Sequence, residues 1–321
     1  MRHAVRDWLG RYRSTGAVAV GVSGGADSLA LTAAAVSEGA VVDALVVDHR
    51  LQPGSDAVAE TAAQTARALG CRSARVLAVE VGREGGMEAA ARTARYRALD
   101  VARGELPVLL GHTLDDQAET VLLGLGRGSG ARSIQGMAPF DAPWGRPLLA
   151  VRRATTRQFC ADLGLSPYED PHNLSPEFTR VRLRIEVLPL LEDVLGGTAA
   201  VALARTAEQL RQDNAALDEF AAELLVRAGT EPAGLSCEVL AGAPAAVRRR
   251  AVRAWLLGRG VRAVTGAHIR AVDELVTAWR GQGGVAVSGG ERGTRLVVVR
   301  EHGRLALARA DRASRDRRET S

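Results

Sequence analysis

Two short stretches carry side chains whose types and spacing could do chemistry. The first, Ser23-Gly24-Gly25-Ala26-Asp27-Ser28, follows an apolar run, Ala17 to Val22, and leads into an alanine-rich segment. Paired glycines take positive φ readily and let a backbone approach a ligand closely. Consecutive N–H groups in such a turn, with those of a helix start, form a nest for an anion, and Ser23 and Ser28 add hydroxyl donors. A carboxylate at Asp27 repels a phosphate, so its presence points to a cation between them, most simply Mg²⁺ bridging to phosphate oxygens. A Walker A loop is excluded because it needs a lysine, and all 42 basic residues here are arginine. The dinucleotide fingerprint is missing from this turn, and the similar GLGRGSG at Gly124 to Gly130 follows a helix-like run. A plain strand-to-helix turn capped by Asp27 or Ser28 needs one such residue and leaves the rest of the hexapeptide unexplained.

The second stretch is His112 to Thr120, HTLDDQAET. Thr113 and Asp116 have the spacing of a helix cap, which puts Asp115 and Asp116 in the first turn, where carboxylates meet the positive end of the helix dipole. That local role leaves Glu119 unexplained. Asp116 and Glu119 are spaced i, i+3 and Asp115 and Glu119 i, i+4, so the acids share one face, which suits a cationic substrate. On EAAARTARYRAL, Glu88 with Arg92 and Arg95 reads either as an exposed salt-bridged helix or as part of a site. In VDHRLQPGS, His49 after Asp48 reads either as a surface histidine or as a nucleotide contact. A second Ser-Gly-Gly, at Ser288 to Gly290, runs through Glu-Arg-Gly-Thr into another strand-like run and reads as a hairpin turn.

Positioning these residues falls to alternating strand-like and helix-like runs. AVAVGVS, VVDALVVDH, ARVLAVEV and LPVLLGH are each followed by a helical pattern, which predicts parallel βαβ units in a doubly wound α/β sheet covered on both faces. Ligands bind such sheets at the carboxyl ends of the strands, where both stretches lie. GRGSGARSIQGMAPFDAPWGRPLL interrupts the rhythm with Gly, Pro and Arg and is expected to be a long loop. ATTRQFCADLGL then reads as a short helix. From about Thr198 a long helical pattern begins and ends in a β-like tail. The expected domains are 1–196, α/β, and 197–321, mainly helical with a short β tail, separated near Gly196 and Gly197; the charged end from about 311 is expected to be frayed.

Bulk properties bound the classes. A chain of 321 residues with 46% hydrophobic and 25% charged residues is that of a folded protein. A formal net charge of +5 is compatible with an anionic partner such as nucleic acid, although a total charge does not locate the positive surface. Cys71, Cys160 and Cys237 are far apart and odd in number, which argues against a disulfide framework or a zinc ribbon. The N-terminus has no apolar signal core and no run has the length of a membrane span, so a cytoplasmic protein without a membrane partner is expected.

SGGADS resembles the pyrophosphate loop (PP-loop) of the N-type ATP pyrophosphatases, α/β enzymes that split ATP between the α and β phosphates and adenylate a carbonyl-type oxygen. Pyrophosphate is then the leaving group, which amides and Mg²⁺ can hold without a lysine. Together with VDHRLQPGS, EAAARTARYRAL, GHTLDDQAETVLLGLGRGSGARSIQGM, RPLL and EDPHNLSPEFTRVRLRIEVLPLL, it makes roughly the first 190 residues resemble the bacterial tRNA(Ile)-lysidine synthetases. The resemblance implies a ligase that uses ATP to adenylate the wobble cytidine of an isoleucine tRNA with a CAU anticodon, then replaces AMP by the ε-amine of free L-lysine. It also implies a second domain of the short form that contacts tRNA.

By residue, the resemblance implies that Ser23, Gly24, Gly25, Ala26, Asp27 and Ser28, with Asp48, His49 and Gly111, hold ATP, and that Asp27 holds Mg²⁺. Asp115, Asp116 and Glu119 would take the lysine ammonium groups, Asp116 and Glu119 helping to remove a proton, and His112 would touch the nucleotide or assist proton transfer. Arg92 and Arg95 would meet phosphate or the lysine carboxylate, and Arg127, Arg182 and Arg184 the nucleic acid or the adenylate. Two departures fall in the second-strand motif: Arg50 stands where the family usually has Gly, and Gln52 where Arg is common. A tRNA thiolase with the same loop would need paired cysteines, an amidotransferring synthetase an ammonia source, and a nucleotide sensor would have no use for HTLDDQAET. The oligomeric state stays open, a homodimer being one option.

Overall fold

β-Branched and alanine-rich runs alternate along the first half of the chain, and in the computed structural model the apolar runs become strands. Residues 1–12, 16–82, 86–128, 130–171, 175–229, 234–289 and 294–311 are described. The chain divides into two units, Met1–Arg211 and Gln212–Ser321. The first contains, in order, α1 (Arg2–Tyr12), β1 (Ala17–Val22), α2 (Ala26–Ser37), β2 (Val41–Asp48), α3 (Ser55–Ala68), β3 (Ser73–Ala78), α4 (Met87–Ala102), β4 (Val108–Leu109), α5 (Leu114–Gly126), α6 (Ala131–Ile134), β5 (Phe140–Asp141), β6 (Trp144–Gly145), α7 (Arg153–Asp162), α8 (Thr179–Arg182), a π-helical turn (Leu183–Val187) and α9 (Leu188–Leu195). The division at Arg211 falls inside α10 (Ala199–Ala228).

The strand order is β3-β2-β1-β4-β6-β5. β1 pairs in parallel with β2 and β4, β2 with β3 and β4 with β6, while β5 runs antiparallel to β6. Side chains alternate along β1: Val18 and Val20 join a core with Val5, Leu29, Leu31 and Ala63, while Ala19 joins Leu45, Leu99, Val108 and Leu110 on the other face. Both faces are therefore covered, as a doubly wound sheet requires. α2 is buried without interruption from Ser28 to Ala35, because alanine lets a helix lie close to both the sheet and α7. The chain leaves β1 toward β2 and returns on the other side at β4, so the switch point of the sheet lies between the ends of β1 and β4.

The Gly- and Pro-rich stretch after α5 is not a plain loop: it contains α6 and the β5–β6 hairpin, which extends the sheet through Trp144 and Gly145 beside Val108 and Leu109. These two short strands, set among Gly and Pro, have no apolar run to detect. Their placement is fixed instead by long-range contacts, with Trp8 Nε1 donating to the carbonyl of Pro139 at 2.8 Å and the Trp8 ring edge-on to Phe140.

The second unit adds β7 (Leu235–Ser236), α11 (Cys237–Ala241), α12 (Ala245–Gly258), α13 (Gly266–Thr277), β8 (Val285–Val287), β9 (Thr294–Glu301) and β10 (Arg304–Asp311), with sheet order β7-β10-β9-β8. β8 and β9 pair antiparallel, in keeping with a hairpin, although residues 290–293 at its turn lie outside the described residues, as does the chain beyond 311. Asp273 is buried between Arg248 and Arg249, at 2.5 and 2.8 Å. Among the described residues no single helix is long and apolar enough to cross a membrane.

Candidate active site

At the switch point the turn after β1 is held by its own serines. The Ser23 N–H donates to Ser28 Oγ at 3.1 Å, and Ser28 Oγ donates to the carbonyl of Gly25 at 3.0 Å. No side chain caps α2 at Gly25, so the first N–H groups of this helix are left for a ligand. Gly24 takes φ +81, and its carbonyl accepts from the Tyr168 N–H at 2.9 Å. Gly111, at the end of β4, packs on the turn so closely that a Cβ would lie 3.0 Å from the Asp27 carbonyl carbon and oxygen.

Beside the turn, α5 begins with a capping box. Asp116 Oδ2 accepts from the Thr113 N–H and from Thr113 Oγ1, both at 2.8 Å. The local and the functional readings of this acid are compatible, because its other oxygen, Oδ1, lies 2.7 Å from Arg153 Nη2. The same guanidinium places Nε 3.3 Å from Asp27 Oδ2 and Nη1 3.5 Å from Glu119 Oε1, while the Arg153 backbone N–H donates to Asp115 Oδ2 at 2.8 Å. Three further arginines border the cluster. Arg184 Nε and Nη2 grip the carboxylate of Glu119 at 2.8 and 3.3 Å, Arg180 Nη1 lies 4.0 Å from it, and Arg152 Nε lies 3.3 Å from Asp115 Oδ1. Glu119 is 0% exposed, a burial that an ionised carboxylate tolerates only with such partners. Arg184 is carried by the π-helical turn, an irregularity that recurs at functional sites.

The electrostatics divide this cluster. Burial opposes the charge on Arg153, but the fields of Asp116, Asp27, Glu119 and Asp115 outweigh it and raise its pKa. Burial also opposes ionisation of Asp116, yet Arg153 and the Thr113 N–H hold it below the usual carboxylate range. Asp27 goes the other way. Burial raises its pKa, and a hydrogen bond from Thr156 Oγ1 and the charge of Arg153 offset this only in part. Among the described residues Arg153 is its one ion-pair partner, and that guanidinium is shared with Asp116 and Glu119.

Around His112 the burial is not offset by a hydrogen-bond partner. His49 Nδ1, Arg95 Nε and His112 Nδ1 are buried without a hydrogen-bond partner. Burial, aided by Arg95, lowers the pKa of both histidines, His112 to about 3. Burial likewise lowers that of Arg95, whose guanidinium lies 5.5 Å from the Tyr96 ring centroid. Such unpartnered buried nitrogens are groups that a bound ligand would satisfy. Asp48 Oδ1 accepts from the Arg50 N–H at 2.9 Å and from Ser55 Oγ at 2.7 Å. Arg50, where the family usually has Gly, sits at φ +51, so the departure places a side chain in a left-handed conformation.

The sequence-predicted residues Ser23 to Ser28, Gly111, His112, Asp115, Asp116, Glu119 and Arg184 thus lie in one connected site. Arg92 is exposed and stacks over Tyr96 at 4.8 Å. Arg182 is exposed and paired with Glu186 at 2.8 Å, and Arg127 is the exposed C-cap of α5. The side chain of Glu88 lies outside the described residues. Sequence reasoning missed Arg152, Arg153, Thr156 and Arg180. Arg153 meets Asp27 across 126 positions, a pairing that no helical spacing reveals. Among the described residues no three His, Cys, Asp or Glu side chains converge to hold a metal alone, so Mg²⁺ would need Asp27 together with ligand oxygens, which is how it is commonly bound.

Residues 2–191 match the PP-loop domain family, and residues 235–306 match the TilS substrate binding domain. The chain is 70% identical over 315 residues to a tRNA(Ile)-lysidine synthase of Nocardia farcinica, covering 98% of this chain and 99% of that one. It is 64% identical over 312 residues to the enzyme of the same name from Rhodococcus erythropolis, covering 97% and 96%. Among solved structures, a U34-tRNA thiolase from Methanococcus maripaludis superposes with a TM-score of 0.54 at 18% identity, over 65% of this chain and 77% of that one, a likeness of fold.

Proposed function

Since the chain belongs to the tRNA(Ile)-lysidine synthase family, we propose that it joins L-lysine to the wobble cytidine of an isoleucine tRNA with a CAU anticodon, in two steps at one site. In the first, the cytidine C2 oxygen attacks the α-phosphorus of ATP, pyrophosphate leaves and an adenylated base forms. In the second, the lysine ε-amine attacks C2, AMP leaves with the former C2 oxygen, and the amine loses a proton. The second domain, from about residue 197, is assigned to tRNA contact.

The amides of Ser23 to Ser28 and the uncapped start of α2 meet the charge that grows on the leaving pyrophosphate. Asp27 fits Mg²⁺, because burial raises its pKa against one shared guanidinium, which a cation would offset, and it lies in the turn that would hold the phosphates. When bound, the ion would neutralise phosphate charge. His49, Arg95 and His112 offer their unpartnered nitrogens to the nucleotide or the base. His112, whose protonation burial opposes, is assigned to nucleotide contact, and proton removal from the amine is assigned to Asp116 or Glu119 because these acids lie against the ammonium they would hold. These two, with Asp115, hold the lysine ammonium groups.

The observation that carries this reading is that one guanidinium, Arg153, touches both Asp27 of the phosphate turn and Asp116 of the acid face, so ATP cleavage and amine delivery share one site. The test is incubation of the purified protein with ATP, labelled lysine and an isoleucine tRNA transcript. Labelled tRNA, AMP and pyrophosphate are expected in equal amounts; pyrophosphate released without lysine in the tRNA would overturn the reading.

A further inference from the structure

Arg153 is, among the described residues, the side chain that makes ion pairs with both the phosphate turn and the acid face of α5. It is largely buried, 16% exposed. Arg153 Nη2, 2.7 Å from Asp116 Oδ1, takes the lone pair and supplies the counter-charge that a ligand amine would otherwise use there. In this state the chain's own guanidinium occupies the place assigned above to the lysine ammonium.

We propose that Arg153 is a positioning residue that opens the amine site only when a nucleotide binds. The inference rests on that assignment of the amine site. A magnesium-bound triphosphate carries net negative charge and would arrive beside Asp27, 3.3 Å from Arg153 Nε. Its oxygens compete for the guanidinium, and a planar fork with five donors turns readily from carboxylate to phosphate. A shift toward the phosphates withdraws the Nη groups from Asp116 and Glu119. Glu119 keeps Arg184 at 2.8 and 3.3 Å, whereas Asp116 keeps Arg184 only at 3.7 Å, so Asp116 is the acid left short of a cation. An ammonium group then completes the cluster. An arginine suits this task because it stays protonated and does not attack the activated base that forms nearby. Nucleotide and lysine should therefore bind with positive and reciprocal coupling.

Calorimetric titration of the wild-type chain with L-lysine, with and without Mg²⁺ and α,β-methylene-ATP, tests this. The lysine Kd is expected to fall at least tenfold with the analogue, and the analogue Kd to fall by the same factor with lysine. Arg153→Gln should bind lysine without nucleotide about as tightly as the wild type does with it, bringing the ratio within twofold of one. Should that variant not fold, Arg153→Lys, which keeps a charge but cannot bridge three carboxylates, should lower the ratio. A ratio of one in the wild type overturns the inference, and so does a wild-type ratio in a folded variant. If the wild type shows no coupling yet still transfers lysine to tRNA, the reading of function stands without it; if no lysine is transferred at all, that reading fails instead.

Discussion

Replacing Glu119 by glutamine separates charge from shape at the centre of the site. The carboxylate is fully buried and is held by Arg184 at 2.8 and 3.3 Å, Arg153 at 3.5 Å and Arg180 at 4.0 Å. An amide of the same size turns one acceptor into a donor that faces a guanidinium. Removing one member of a buried ion pair costs about 3–5 kcal/mol. The lower end applies here, because Arg153 retains Asp116 at 2.7 Å and Arg184 is 27% exposed. About 3 kcal/mol corresponds to a drop of about 6–12 °C in the Tm of a unit of this size. Emission from Trp8 and Trp144 reports on this unit alone once Trp255 and Trp279 are changed to phenylalanine. Adding Arg184→Gln removes the partner left unpaired, and a double-mutant cycle should return a coupling of about 1–2 kcal/mol. In turnover, Glu119→Gln should raise the lysine KM at least a hundredfold while the ATP KM changes little. A Tm within a degree of wild type, or strictly additive losses in the cycle, would show that the carboxylate is not the counter-charge assigned to it.

Asp27→Asn should lower AMP and pyrophosphate formation by about 100-fold or more, with stability unchanged or higher, because burial already disfavours the charged form of Asp27; adenylation at the wild-type rate would remove the metal role. Arg50→Gly should raise the unfolding free energy measured in urea by about 0.5–1 kcal/mol, since it relieves a side chain at φ +51, and a lower value would mean that side-chain contacts outweigh the strain. His112 is held near 3 against an ordinary 6.5, so the unfolded chain binds more protons between those values. Stability should therefore fall as pH is lowered from 6.5, by up to about 1.4 kcal/mol per unit. His112→Gln should flatten that slope in urea titrations between pH 6.5 and 5, and an equally steep slope would show that the imidazole protonates in the folded protein.

What the sequence disclosed was local. Ser23 to Ser28 and Thr113 to Glu119 are each short, continuous stretches, and their bonds, Ser23 to Ser28 and Thr113 to Asp116, close over five residues or fewer. The parallel strands were legible because β1 and β2 are long enough to show an apolar run. β5 and β6 were not, because they lie among Gly and Pro without the apolar run that marks the equally short β4, and are fixed by Trp8 from the other end of the unit. Arg50 shows a signal present but unread in physical terms. A departure from Gly beside a strand end is a statement about φ, and the structure supplies the value.

The arginines were the illegible part, for a reason that bears on the chemistry. All 42 basic residues are arginine, so nothing in composition separates Arg153 from the exposed Arg127 or Arg182. What separates them is the long-range packing that brings α7 and the π-helical turn to the start of α5. A lysine at 153 would supply the same formal charge, but its amine can lose a proton and attack, while a guanidinium stays protonated. In a site read as activating a base for attack by an amine, a permanently protonated internal cation neutralises the acids without competing for the reaction. The constraint acts at the few positions facing the acids, and it can be read only where they face them.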